Sequence, residues 1–140
     1  MKKAIQVISL FLLVGLGSFL TISCVDSSNK SDSTIDASGS STVQVYYFHA
    51  TRRCATCEAV EKVTKETLAE NYGAKVPFQS INREEEKENP LVKKYEISGQ
   101  TLLVVKGDQV VNLTNDAFMY ARTSPDKLKA KIKETIDALL

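Results

Sequence analysis

Cys54 and Cys57 are separated only by Ala55 and Thr56 and follow directly on Arg52 and Arg53. They stand between an apolar run, Val43 to Phe48, and an amphipathic run, Glu58 to Tyr72. Two cysteines at this spacing at the opening of a helix lie close enough to close a small disulfide ring. A helix N-terminus favours negative charge, and therefore a thiolate. The two arginines push the same way. An attacking thiol, a resolving thiol and a positive setting that ionises the attacker are what thiol–disulfide exchange requires. Cys54 is expected to be the exposed attacker, and Cys57, one turn along, the thiol that resolves the mixed disulfide. Arg52 and Arg53 are candidates for tuning the thiolate or for holding an anionic substrate.

His49 is the only histidine and lies close before the cysteines. It is a candidate proton shuttle or third metal ligand. A structural zinc site takes four ligands, commonly two cysteine pairs or one pair with histidines. This chain has one histidine and no second pair. Soft thiolates also suit copper(I) or zinc. A metal or metalloid site built on Cys54, Cys57 and His49, handling copper, zinc or arsenic, is thus the alternative to redox chemistry that needs no cofactor beyond the disulfide.

The third cysteine ends a different kind of segment. Lys2 and Lys3 form a short basic region, Val7 to Leu20 is predominantly apolar, and Leu20-Thr21-Ile22-Ser23-Cys24 closes it with small residues. The apolar stretch is shorter than the roughly 20 residues of a spanning helix, and the layout is that of a secretory signal. It resembles a bacterial lipoprotein signal, which implies that Cys24 is the lipidated first residue of the mature chain. Thr21 stands where such signals usually carry leucine. An uncleaved anchor helix and cleavage without lipid are the alternatives. With Cys24 as anchor, the remaining cysteines form one pair, which outside the cytoplasm can be oxidised. A ring this small removes little entropy from the unfolded chain, so it serves reactivity better than stability.

Residues 25–42 are rich in Ser, Asp, Asn and Thr with almost no large apolar side chains. They cannot bury enough surface to offset ordering and read as a flexible tether. Residues 43–140, about one hundred, make one domain. Loss of Lys2 and Lys3 takes the basic count from 18 to 16 against 17 acidic residues. A chain so nearly neutral carries no nucleic-acid footprint.

Within the domain, 43–48 is β-branched and aromatic and reads as a buried strand. Glu58 to Asn71 reads as a helix, with Gly73 placed to end it. Lys75 to Ile81 reads as a strand that Pro77 confines to an edge or a bulge. The charge run Arg83 to Glu88 reads as a solvated loop. Asn89 caps and Pro90 opens a short helix through Tyr95. Thr101 to Val105 is apolar enough to be a central strand, and Lys106-Gly107-Asp108 turns it into an antiparallel partner, Gln109 to Leu113. Residues 115–123 connect to a last helix, capped by Ser124-Pro125-Asp126, with Leu128, Ile132, Ile136 and Leu139 on one face. Phe118, Met119 and Tyr120 in that connection are assigned to core packing rather than to a pocket. The order is β-α-β-α-β-β-α: an α/β sandwich of three layers around a mixed four-stranded sheet.

This order, with CxxC at the first strand-to-helix junction, resembles the thioredoxin-like superfamily over the whole of 43–140. Phe48-His49-Ala50 lies where thioredoxins carry Phe-Trp-Ala. Asn89-Pro90, Tyr95-Glu96-Ile97, Ser98 to Val104 and Lys106-Gly107-Asp108 follow the family's second half. The string from His49 to Glu61 is similar, more narrowly, to small thioredoxin-like proteins of the ArsF-type nitroreductase subunit family. The resemblance implies a redox disulfide at Cys54 and Cys57 and a substrate-docking edge at Gly99, Gln100 and Thr101. Gln100 occupies the position of the family's cis-proline, and the loss of that proline can open room for a metal at the sulfurs. Tyr47 replaces a buried aspartate that serves as base for the second thiol. His49 would fill the tryptophan slot. The whole implies an exported thiol–disulfide oxidoreductase on the periplasmic side of a bacterial membrane, tethered by lipid and partnered by a protein or small-molecule thiol or disulfide.

Overall fold

The computed structural model describes residues 41–140. The signal segment, the lipidation of Cys24 and nearly all of the tether lie outside the described residues.

Four strands form one sheet in the order β2-β1-β3-β4. Strand β1 (Gln44–His49) runs parallel to β2 (Phe78–Asn82) and antiparallel to β3 (Thr101–Lys106), and β3 pairs antiparallel with β4 (Gln109–Asn112). Helix α1 (Ala55–Asn71) makes the crossover from β1 to β2, and α2 (Pro90–Lys94) lies between β2 and β3. After β4 come α3 (Thr114–Tyr120) and α4 (Pro125–Leu139). This is the thioredoxin-like three-layer sandwich.

Side chains alternate between the two faces of a strand, and both faces are covered here. Val45, Tyr47, Leu102 and Val104 face α1, α3 and α4, packing with Val60, Leu68, Ala117, Ile132 and Ile136. Tyr46, Phe48, Leu103 and Val105 face the other way and meet Ile81 of β2 and Leu91 of α2. Burial on two sides explains why β1 and β3 are apolar without alternation.

Local chemistry sets the boundaries. Asn89 Oδ1 accepts the Leu91 N–H at 3.0 Å, and Pro90 occupies the first helical position of α2. Gly73 has φ +55°, the left-handed conformation a helix exit needs. Strand β2 starts at Phe78 rather than Lys75, because residues 73–75 form a 3₁₀ turn and Pro77 has no N–H for a ladder. Ser124 makes no side-chain cap; its backbone carbonyl takes the Lys127 N–H at 2.9 Å instead.

One element was not anticipated. Residues 115–123, read as a connection, are largely taken up by helix α3, which runs from Thr114 to Tyr120. Asn112 Oδ1 accepts the Thr114 N–H at 2.9 Å and starts it. Ala117 and Ala121 are buried against the core, while Phe118 and Tyr120 pack at its margin. Met119, assigned to core packing, points outward and is 59% exposed.

Candidate active site

The two cysteines sit at the opening of α1. Cys54 is the N-cap, with extended backbone (φ −95°, ψ 162°), and its Sγ accepts the Cys57 N–H at 3.3 Å. Its carbonyl receives the Glu58 N–H at 3.1 Å, the first bond of the helix. A sulfur thus takes the capping role that oxygen usually fills. The single helical turn between them brings Cys57 Sγ to 2.6 Å from Cys54 Sγ.

The pair is asymmetric. Cys54 is exposed and Cys57 is fully buried. The hydrogen bond from the Cys57 thiol, then the Cys57 N–H, hold the Cys54 thiol below its ordinary value. Burial, then the hydrogen bond with Cys54, push Cys57 up. Cys54 is therefore the sulfur that ionises and can be reached, and Cys57 keeps its proton. In iodoacetamide labelling followed at Cys54, the rate should reach half its maximum below pH 9.0, the ordinary thiol value. The sign follows from the lowered pKa: more thiolate is present at any pH beneath that value than an ordinary thiol would give. Cys57→Ala removes the leading cause and should move the midpoint upward.

Arg52 and Arg53 have different places. Arg52 is exposed at the rim beside Cys54. Arg53 is engaged with other partners. Its guanidinium pairs with Glu61, lies over the Tyr47 ring at 5.7 Å and reaches the Cys57 carbonyl at 3.5 Å. Neither arginine is among the leading causes of the Cys54 shift. The local dipoles of the helix opening and the neighbouring thiol do that work at shorter range. Arg53 braces the loop instead. Burial opposes ionisation of Glu61, but hydrogen bonds from Lys65 and Arg53 outweigh it and keep the carboxyl below the usual range.

Tyr47 lies under the pair, and its hydroxyl donates to the Cys57 carbonyl at 3.1 Å. Burial, then the nearby Cys57, raise its phenol well above the ordinary value. It stays protonated and cannot replace the missing carboxylate base. Its contribution is to hold the first turn of α1 to β1.

His49 is half-buried at the end of β1, its ring 5.9 Å from that of Tyr47. Its Nδ1 bonds the Ala50 carbonyl at 2.9 Å, and since a carbonyl only accepts, Nδ1 carries the proton. Among the described residues, no three His, Cys, Asp or Glu side chains are grouped so as to hold a metal ion. The set Cys54, Cys57 and His49 is therefore not assembled as a ligand cluster.

The segment Gly99, Gln100 and Thr101 does come beside the cysteines. Gln100 Oε1 is 3.2 Å from Cys57 Sγ. The space that loss of a proline was expected to open beside the sulfurs is thus taken by the Gln100 side chain. The Gly99 carbonyl accepts the Thr101 hydroxyl at 3.2 Å, and Thr101 begins β3 opposite Phe48.

Two contributors have no sequence motif. Glu61 is four residues after Cys57 and four before Lys65, a spacing that puts all three on one helix stripe. The charge run 83–88 is the solvated loop expected, with Glu84 to Glu88 exposed, and it also ties down the loop before Cys54. Glu84 Oε2 accepts the Thr51 N–H at 3.0 Å, and Glu85 Oε1 accepts the Thr51 hydroxyl at 3.2 Å.

A thiolate-forming sulfur at the surface, a protonated sulfur in contact behind it, and backbone that holds both in register can carry out thiol–disulfide exchange. The dithiol carries the two exchanged electrons and gives them up as its S–S bond forms, so the chemistry needs no other cofactor.

Neither a family model nor a curated protein matches the chain. Solved structures resemble it remotely. Trxlp from Edwardsiella tarda is 19% identical, with 66% of this chain and 82% of that one covered and a TM-score of 0.49. The germline-specific thioredoxin Deadhead from Drosophila melanogaster is 21% identical, covering 67% and 81%, at 0.46. Mitochondrial thioredoxin 3 from Saccharomyces cerevisiae, in its oxidised form, is 22% identical, covering 66% and 77%, at 0.44. These are likenesses of overall fold.

Proposed function

We propose that the chain is an exported, membrane-tethered thiol–disulfide oxidoreductase or electron-transfer protein that works through Cys54 and Cys57. One observation carries the reading: two sulfurs 2.6 Å apart, of which the exposed one is made more acidic and the buried one less so. The Cys54 thiolate attacks a partner disulfide R–S–S–R′. The Cys54–S–SR bond forms and R′–S⁻ leaves. Cys57 then loses its proton to solvent, attacks Cys54 Sγ and displaces R–S⁻. The partner gains two electrons and the pair loses them; the departing thiolates take protons from water. Run backward, the same residues oxidise a dithiol.

Export and tethering are supported by the basic, apolar and small-residue pattern of 1–24, with Cys24 as the lipidated residue and 25–42 as spacer. The partner chemistry is a protein or small-molecule thiol or disulfide.

The test is equilibration of the purified full chain in buffers of defined reduced-to-oxidised glutathione ratio, read by mass at the peptide containing both cysteines. A reversible loss of two hydrogens from that peptide supports the reading. Thiols that never couple to glutathione sink it and leave a non-catalytic subunit whose thioredoxin-like fold serves as a docking module.

A further inference from the structure

Cys57 has one S–H and two acceptors. One is Cys54 Sγ at 2.6 Å; the other is the amide oxygen of Gln100 at 3.2 Å. While Cys54 is a thiolate, the anion is the stronger acceptor. Once Cys54 is joined to a partner, its sulfur is uncharged and accepts only weakly. The Gln100 oxygen is then the better site for the proton. When the ring closes, Cys57 has no proton to offer, and Oε1 loses this donor.

The remaining groups around Cys57 do not compete for that proton. The Tyr47 hydroxyl spends its proton on the Cys57 carbonyl. Arg53 has no acceptor atom, and its partner Glu61 is held by Arg53 and Lys65. Gln100 is half-buried, ahead of β3, and Cys57 is fully buried. A hydrogen bond in such a setting is worth more than one at the surface, and an acceptor stripped of its donor costs more.

We propose that Gln100 is a positioning residue that keeps the proton on Cys57 through the mixed disulfide, biasing the pair toward its dithiol form and slowing ring closure. The proposal rests on the exchange chemistry above and adds to it a residue that sets its poise. In balance, Cys57–SH gives its proton to water, Cys57 S⁻ forms the bond to Cys54 Sγ, the Cys54–SR bond breaks, and R–S⁻ leaves with the electron pair. Gln100 opposes only the first of these events.

The experiment uses the full chain with Gln100→Met, which keeps an unbranched side chain of similar length and removes the amide oxygen, and with Gln100→Ala as second variant. Two quantities are measured: the equilibrium constant with glutathione, and the single-turnover rate at which a mixed disulfide preformed on Cys54 releases glutathione. Loss of one net hydrogen bond predicts a shift toward the disulfide of about two- to tenfold, with faster release in both variants. Unchanged equilibrium and release in both variants overturn the proposal and leave the exchange reading standing. If the native chain does not exchange with glutathione at all, the exchange reading fails. The Gln100 contact is then judged by the ¹³Cβ resonance of Cys57 in the reduced chain. A lower titration midpoint in Gln100→Met supports the contact, and an unmoved one overturns it.

Discussion

With a small-molecule disulfide, the Cys57→Ser chain should accumulate a stable adduct on Cys54, while the Cys54→Ser chain forms none. The asymmetry of the pair demands this order. Cys54 is exposed and more acidic than an ordinary thiol; Cys57 is fully buried and less acidic. In Cys54→Ser the remaining sulfur is both protonated and out of reach, so exchange should fall on the order of 10³-fold or more, the scale of losing a nucleophile. In Cys57→Ser the first step survives and the second has no sulfur to complete it. Mass analysis under non-reducing conditions separates the outcomes. A stable adduct on Cys57 in the Cys54→Ser chain would reverse the assigned roles.

The largest expected effect on stability lies in the sheet beneath the site. Leu102 of β3 is fully buried, in the cluster that joins β1 and β3 to α1 and α4. Its backbone is held on both sides: the N–H by Thr114 Oγ1 at 3.1 Å, the carbonyl by the Leu113 N–H at 2.9 Å. Such a site cannot collapse to fill a void. Leu102→Ala should therefore cost about 2–5 kcal/mol, a large part of the roughly 5–15 kcal/mol that holds a domain together. Chemical denaturation measures it. Met119→Ala, at a side chain 59% exposed, is the control and should change stability by less than about 0.5 kcal/mol.

How much of this was legible depended on whether the signal was local. The apolar runs at 43–48 and 101–105 identified the two central strands, because burial on both faces removes polar residues from the sequence itself. Asn89-Pro90 marked the start of α2, because a cap is a contact between near neighbours. Helix α3 was hidden, since its seven residues show too little periodicity to separate from a loop and its start depends on Asn112. Glu96 shows the limit at one residue. It adopts φ +49° just past α2, where glycine would announce the turn. The Ile97 N–H reaches the Val92 carbonyl at 3.0 Å, and Ile97 and Val92 pack on the same cluster, so tertiary contacts impose the conformation on a residue that does not favour it.

At the site, the residue types and their spacing alone determined that two sulfurs would meet at a helix opening, because one helical turn leaves them no other place. They could not determine where the charges beside them would point. Arg53 directly precedes Cys54 in the chain, yet it pairs with Glu61 and lies over Tyr47, since a guanidinium gains from a carboxylate and an aromatic face together. Gln100 is forty-three residues from Cys57 in the chain. Only the antiparallel return of β3 alongside β1 brings its amide to that sulfur, and that pairing is a property of the folded sheet.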